Sequence, residues 1–245
     1  MNIHSARHPK VKKWKELYAG DDRNGEYFVT DSLRMLKGAV ERGLLTEFVI
    51  HEKVREYGLF EDMDRTWISE EVAAEIGMDT GYWFAVVKKP KLRIEKFERI
   101  LVLDNYHETG ALGTVIRSAR SFGFDGILLT GDSANPWYRP VTRSGMDNQL
   151  ELPILSLPFT DAIRMLREQH VLFVTVGKRK AVPVEQIPAG KRVALLLSGS
   201  DAYSPSLLAV SDIVCDPRLD CSDPTVLGEA ASIIMYACRN LKGEQ

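Results

Sequence analysis

Cysteine and long apolar runs are both scarce in this sequence of 245 residues, and each scarcity excludes a class of protein. The three cysteines, Cys215, Cys221 and Cys238, are odd in number and form no Cys-x-x-Cys pair, which argues against a disulfide framework or a zinc site. No run approaches about 18 apolar residues, and the N-terminus lacks the apolar core of a signal peptide. We therefore expect a soluble protein of the cytoplasm, without a membrane partner.

The sequence also contains few histidines and has little net charge. The five histidines are scattered, so no metal is expected, and for His4 and His8 in the basic N-terminal segment we expect contact with RNA phosphate or water. The net charge is −2, so any contact with nucleic acid has to come from a local basic patch. A content of 44% hydrophobic and 27% charged residues is typical of a packed globular protein with one large domain or two modest ones.

The first 90 residues predict a small α/β domain. Apolar residues recur at helical spacing in residues 1–20, where the cationic side chains Arg7, Lys10, Lys12, Lys13 and Lys15 form a basic outer face. The pattern predicts strands over 26–30, 44–52 and 82–90 and helices over 31–43 and 69–77, with Ser69 as a helix N-cap and Gly43 as a helix stop. A basic helix face suits RNA phosphates, although such a face is also commonly only solvated.

A charged linker over 91–99 precedes a second domain over 100–245. Strands are predicted over 100–104, 126–130, 171–176 and 193–198, and helices over 113–122, 160–168 and 228–241. Strands that alternate with helices indicate a parallel sheet with helices on both faces. The strands "ILVLD" and "VALLLSG" are apolar throughout, as expected where both faces are buried.

The segment Leu103–Leu129 most resembles a site. Gly110 and Gly113 flank the predicted start of a helix, and Arg117 lies one turn inside it. Exposed N–H groups at a helix start and an arginine fork both suit an anion such as phosphate. An ordinary tight turn with a surface arginine would have the same residues. His107, beside Glu108, is either a catalytic base or a solvated loop residue.

Several motifs in this sequence resemble the SpoU/TrmH family of RNA 2′-O-ribose methyltransferases, which belongs to the SPOUT class. The segment "ETGALGTVIRSARSFG" is similar to the first family motif, with Gly113, Arg117, Phe122 and Gly123 in the family positions. The block "NPWYRPVTRSGMDNQLELPI" is similar to a family segment with a basic residue, a serine-containing turn and a return to LPI. "HSARHPKVKKWKEL" and "EYFVTDSLRMLKGAVERG" resemble the RNA-recognition domain often appended to these enzymes.

The resemblance covers nearly the whole chain and implies a fold, a cofactor and a substrate. It implies a trefoil knot in the C-terminal α/β domain, a homodimer, S-adenosyl-L-methionine as cofactor and ribosomal or transfer RNA as substrate. Arg117 would bind the phosphate beside the target ribose and help to activate the 2′-hydroxyl, with Glu108 and Asp201 as further catalytic candidates. The implied cofactor contacts are Leu197, Ser198, Gly199, Ser200, Asp216, Pro217, Thr225 and Val226. The implied RNA contacts are Arg7, Lys10, Lys12, Lys13, Arg34 and Arg143.

Departures from the family motifs leave alternatives open. Ala111 stands at the motif asparagine, Asp216-Pro217 stands where the family has Ile-Pro, and Val226 stands at a second asparagine. The protein is therefore interpreted as a methyltransferase, as a non-catalytic RNA-binding homologue that has lost the cofactor, or as an enzyme with an altered substrate. Trp137, Tyr138 and Arg139 are interpreted either as a platform for an unpaired base or as a loop that packs on a partner subunit.

Overall fold

The structure is a computed structural model that describes residues 1–20, 23–57, 62–78, 81–178, 180–188, 191–199, 204–218 and 227–240. The chain divides into two compact units. The first contains Met1–Lys91 and Asn135–Leu150, and the second contains Leu92–Ala134 and Glu151–Gln245. The first unit therefore includes a segment from the later half of the sequence, which the sequence analysis assigned to the second domain.

The order of elements along the chain alternates between strands and helices. The helices are α1 (Pro9–Ala19), α2 (Leu33–Glu41), α3 (Glu70–Ile76), α4 (Thr109–Ser121), α5 (Arg139–Gly145), α6 (Phe159–Glu168), α7 (Pro205–Val210) and α8 (Leu227–Asn240). The strands are β1 (Asn2–Ile3), β2 (Tyr27–Thr30), β3 (Leu45–His51), β4 (Thr66–Ile68), β5 (Trp83–Lys88), β6 (Arg99–Asp104), β7 (Gly126–Thr130), β8 (Ile154–Ser156), β9 (Leu172–Val176), β10 (Val182–Pro183), β11 (Val193–Ser198) and β12 (Ile213–Asp216). Short 3₁₀ turns cover Glu52–Tyr57, Asn148–Leu150 and Val184–Gln186.

The predicted elements are all present, but several short ones were missed. The missed elements are β1, β4, α5, β8, β10, α7 and β12. All five missed strands have only two to four residues, which is too few to show a period of two. The predicted start of α4 at residue 113 is wrong, because the helix begins at Thr109.

The first unit has a mixed sheet covered on both faces. Its strand order is β1-β4-β3-β5-β2, with β1, β4 and β3 parallel and β5 antiparallel to both β3 and β2. On one face Trp14 of α1 packs edge-on against Phe84 of β5, with ring centroids 5.8 Å apart. On the other face α2 buries Met35 and Leu36 together with Leu150. Each face thus has its own apolar core.

Helix α1 follows the predicted amphipathic pattern. Its buried residues are Val11, Trp14, Leu17 and Tyr18. The helix begins at Pro9 because the preceding His8 is the N-cap, and it ends at Gly20, which adopts a left-handed conformation with φ of 78°. His4 and His8 are four residues apart but both precede the helix, so they do not share a helix face.

The segment Asn135–Leu150 packs within its own chain, an arrangement that neither sequence-based interpretation of its aromatic residues contained. The Trp137 ring lies 4.9 Å from the ring of Phe28, measured between centroids. The Arg139 guanidinium lies 3.5 Å from the centroid of the Tyr18 ring. Both arginines of α5, Arg139 and Arg143, also bind the carboxylate of Asp31.

The second unit contains a seven-stranded sheet in the order β10-β12-β9-β11-β6-β7-β8, and each described pairing is parallel. The predicted parallel sheet is confirmed. Every residue of β11 is buried, as are Ile100–Asp104 of β6, in agreement with strands covered on both faces. Helices α6 and α7 pack on one face of the sheet, while α4 and α8 pack against each other. Among the described residues, no helix is long and apolar enough to cross a membrane.

The Asp31 carboxylate generates a stability prediction. Its side chain is 9% exposed, and Arg143 Nε and Arg139 Nη1 donate to it at 2.6 and 3.2 Å. We expect Asp31→Asn to lower the free energy of unfolding by about 2 kcal/mol, because Arg139 then loses its ionic partner in a largely buried place. All four tryptophans lie in the first unit, so urea unfolding followed by tryptophan fluorescence measures this change.

The matched control is Glu75→Gln, which removes the carboxylate of an exposed pair with Lys15 in the same unit. A change below about 0.5 kcal/mol is expected there. Equal effects of the two substitutions would contradict the role assigned to Asp31.

Candidate active site

The carboxyl ends of the parallel strands in the second unit meet along one edge of the sheet. β6 ends at Asp104, β7 at Thr130 and β11 at Ser198. The register pairs Asp104 with both Ser198 and Thr130. These three polar residues therefore end their apolar strands at the same level of the sheet. Ligands of open α/β sheets typically bind at this edge.

Asp104 is the centre of a buried polar network at this carboxyl edge. It is only 6% exposed. Its Oδ1 accepts a hydrogen bond from Thr130 Oγ1 at 2.6 Å, and its Oδ2 accepts one from Asn105 Nδ2 at 3.0 Å. Its backbone oxygen accepts from the Gly199 N–H at 3.0 Å. A buried carboxylate needs such partners because its desolvation is otherwise costly, so the network holds three strand ends together.

Gly199 is required here because the backbone after β11 runs against the backbone after β6. A Cβ at residue 199 would lie 2.4 Å from Tyr106 Cα and 2.7 Å from the backbone oxygen of Asn105. Both neighbours are main-chain atoms, which cannot move aside as a flexible side chain can. The predicted cofactor residue Gly199 therefore has a steric reason to be glycine.

The predicted cofactor residues that the structure describes lie at the carboxyl edge. Leu197 and Ser198 are the buried last residues of β11, and Gly199 follows them. Asp216 ends β12 and Pro217 follows it, with Asp216 Oδ1 accepting from the backbone N–H of Arg218 at 2.8 Å. Strand β9 lies between β11 and β12, so the two groups are two strand spacings, or about 10 Å, apart. Ser200, Thr225 and Val226 lie outside the described residues.

Helix α4 begins at the same edge, and its start differs from the prediction. Glu108 is the N-cap, and its Oε2 accepts a hydrogen bond from the Ala111 N–H at 2.8 Å. Gly110 and Gly113 consequently lie inside the helix instead of flanking its start. The sequence pattern misled because a glutamate is an uncommon N-cap. A carboxylate of the chain itself thus occupies the anion position at the helix start.

Arg117 lies on the exposed face of α4, eight residues beyond its first residue, which is about 12 Å along the axis. It is therefore two turns inside the helix, not one. Among the described residues, its guanidinium has no ion pair or hydrogen bond. His107 is exposed in the loop before the helix. Asp201, the remaining catalytic candidate, lies outside the described residues.

Tyr106, which sequence reasoning missed, is the most unusual side chain at the edge. It is 1% exposed, and its hydroxyl is buried without a hydrogen-bond partner among the described residues. Burial raises the pKa of the Tyr106 hydroxyl, and the carboxylates of Glu108 and Glu229 raise this pKa further. The hydroxyl therefore stays neutral and protonated. The sequence signal that could have identified this region is the polar pair Asp104-Asn105 at the end of an apolar strand.

The predicted RNA contacts all lie in the first unit and differ in how far their charges are neutralised. Lys10 pairs with Glu47 at 2.6 Å, Arg34 pairs with Asp147 at 3.0 Å, and Arg143 pairs with Asp31. The hydrogen bond to Asp31 raises the pKa of Arg143. Arg7, Lys12 and Lys13 are exposed, and Lys13 Nζ lies 4.7 Å from the centroid of the Tyr27 ring.

Comparisons with known proteins agree on one family. The model of the SpoU rRNA Methylase family matches residues 98–201. The 23S rRNA (guanosine(2553)-2′-O)-methyltransferase RlmP of Bacillus subtilis is 23% identical over an alignment that covers 97% of this chain and 98% of that protein.

Solved structures extend the likeness over both units. An AdoMet-bound rRNA methyltransferase from Sinorhizobium meliloti has a TM-score of 0.77 and 22% identity, covering 98% of this chain and 97% of that chain. The SpoU methyltransferase AviRb from Streptomyces viridochromogenes, in complex with AdoMet, has a TM-score of 0.75 and 17% identity, covering 95% of this chain and 98% of that chain. At these identities the solved structures establish the fold.

The close approach at Gly199 generates a second prediction. We expect Gly199→Ala to lower the free energy of unfolding by about 2 kcal/mol, because two backbone segments have to separate to admit the methyl group. Gly228→Ala on α8 is the control, since its Cβ would make ordinary contact with Ala111 Cβ at 3.8 Å. Circular dichroism at 222 nm during chemical unfolding measures both variants. An unchanged midpoint for Gly199→Ala would contradict the packing described here.

Proposed function

We propose that the chain belongs to the SpoU rRNA methylase family and is an RNA 2′-O-ribose methyltransferase that uses S-adenosyl-L-methionine. The observation that carries the proposal is the convergence of Leu197–Gly199, Asp216–Pro217 and the start of α4 at the carboxyl edge of one parallel sheet. The substrate is ribosomal or transfer RNA, and the protein acts in the cytoplasm.

The described residues at the carboxyl edge fit a small polar cofactor. The strand ends offer backbone groups beyond the last pairs of the ladder, and the buried Tyr106 hydroxyl has no partner among the described residues. Leu197, Ser198, Gly199, Asp216 and Pro217 would hold the cofactor, together with Ser200, Thr225 and Val226. When bound, S-adenosyl-L-methionine supplies an electrophilic methyl group for transfer to an oxygen nucleophile.

Arg117 is proposed to bind and orient the RNA. A ribose 2′-hydroxyl is a weak nucleophile, so the developing negative charge on its oxygen has to be stabilised. The Arg117 guanidinium would bind the phosphate beside the target ribose in a bidentate manner and stabilise this charge. Glu108, which caps α4, holds the helix that carries Arg117, and Asp201 is a further catalytic candidate.

The remaining parts of the proposal concern topology and assembly. The second unit carries the trefoil knot of its family, and residues 1–90 form the RNA-recognition domain. The RNA contacts are Arg7, Lys10, Lys12, Lys13 and Arg34 of this domain, together with Arg143 of α5. The functional protein is a homodimer. Ile233 and Tyr236 support this assembly, because these apolar α8 side chains are 42% and 51% exposed and a dimer would cover them.

The first test is titration calorimetry of the full chain with S-adenosylmethionine and with S-adenosylhomocysteine. We expect micromolar affinity and one ligand per chain. Absence of binding at millimolar ligand, with circular dichroism that shows an intact fold, would leave the RNA-binding homologue as the function.

The role of Arg117 is tested with Arg117→Ala. Because this guanidinium is exposed and has no described partner, we expect unchanged stability and unchanged cofactor affinity. The kcat/KM for methyl transfer to RNA falls by about 100-fold, the typical effect of removing one donor to a developing charge. Arg164→Ala, on the exposed face of α6, is the matched control and keeps full activity. A decrease in kcat/KM of less than threefold for Arg117→Ala would contradict the role assigned to Arg117.

A further inference from the structure

Tyr106 follows β6 and contacts the residues that follow β7 and β11 at the carboxyl edge. Its backbone N–H donates to Ser133 Oγ at 3.0 Å, and its backbone oxygen accepts from the Ala134 N–H at 2.8 Å. Gly199 approaches it so closely that a Cβ there would lie 3.0 Å from Tyr106 Cγ. The ring is therefore fixed beside Gly199 at the carboxyl end of β11.

The hydroxyl of this fixed ring is left without a partner. A phenol that is 1% exposed and makes no hydrogen bond among the described residues loses its hydration without compensation. A phenylalanine would fill the same space at lower free-energy cost. A buried, unpaired polar atom beside a candidate ligand site is therefore best explained by a ligand that supplies the missing partner.

The surrounding charges indicate which chemical group that ligand presents. Two carboxylates lie near this residue in the fold. Glu108, two residues beyond Tyr106, caps α4. Glu229 is in the first turn of α8 and follows Gly228, where a Cβ would lie 3.8 Å from Ala111 Cβ of α4. Their negative potential repels a phosphate and attracts a cation. The neutral phenol can donate its proton to an acceptor while its oxygen accepts from an ammonium group.

We propose that the Tyr106 hydroxyl, flanked by Glu108 and Glu229, binds the α-ammonium group at the amino-acid end of the cofactor. This inference rests on the proposed function, since it assigns a positioning contact within the same site. It adds a residue that is neither in the family motifs quoted above nor among the cofactor contacts that the resemblance implies. It also separates two kinds of ligand at the edge, because RNA phosphate is excluded from the position that the ammonium takes.

The test compares two ligands and two proteins. S-adenosylhomocysteine and 5′-methylthioadenosine share the thioadenosine part, but only the first has an amino-acid end. Calorimetry with the full chain is expected to show that Tyr106→Phe weakens S-adenosylhomocysteine binding about three- to tenfold, the equivalent of one hydrogen bond. Binding of 5′-methylthioadenosine stays unchanged. The ligand-free variant is expected to be at least as stable as the wild type, because the unsatisfied hydroxyl is removed.

Charge is tested separately with Glu229→Gln, which should weaken S-adenosylhomocysteine binding about threefold and leave 5′-methylthioadenosine binding unaffected. Tyr82→Phe and Glu71→Gln, both at exposed positions of the first unit, are the controls for hydroxyl and carboxylate removal. Equal loss of both ligands, or no loss, in Tyr106→Phe would overturn the inference. Failure of the wild type to bind any of these ligands or S-adenosylmethionine would instead overturn the proposed function.

Discussion

The buried carboxylate of Asp104 is the interaction on which the candidate site depends. It accepts hydrogen bonds from Thr130 at the end of β7 and from Asn105 in the loop after β6, while its backbone oxygen accepts from Gly199 after β11. Folding removes this carboxylate from water, and the desolvation cost is offset only when its oxygens accept hydrogen bonds in this way. The three strand ends are consequently held at one level, and the residues that follow them, Tyr106 and Gly199 among them, come into contact.

The start of α4 answers the question that its glycines raise. A glycine-rich helix start with a nearby arginine indicates a phosphate site, but here the carboxylate of Glu108 accepts a hydrogen bond from the N–H of Ala111, the third residue of the helix, and occupies that place. A phosphate cannot share the position with a carboxylate of like charge. Arg117, two turns farther along on the exposed face, is therefore the group of this helix that remains for an anion. The proposed division of the site follows, with a cation at the helix start and a phosphate at Arg117.

The first unit shows how ion pairs modify a charge pattern that is read from sequence. Of the six basic side chains that we assign to RNA binding, Lys10, Arg34 and Arg143 have carboxylate partners within the unit. Such pairs neutralise charge that phosphates would otherwise attract. Under the proposed function, the electrostatic affinity of this unit for RNA would therefore depend mainly on Arg7, Lys12 and Lys13, and its salt dependence would correspond to few phosphate contacts.

The sequence by itself determined the long elements and the fold class. The apolar strands at 100–104 and 193–198 and the helical spacing of Val11, Trp14 and Leu17 are local patterns, and local patterns follow directly from residue order. Motif resemblance also predicts roles for Leu197–Gly199 and Arg117, and those roles stay predictions. Only the tertiary structure decided that Glu108 begins α4, that Asn135–Leu150 packs with the first unit, and that the buried Tyr106 hydroxyl has no hydrogen-bond partner among the described residues. The Glu108 cap is a local contact with Ala111, but the glycines of this segment also suit a later helix start. The other two features depend on contacts between residues far apart in the chain, so the burial and charge of distant partners, and not residue spacing, set their free energy.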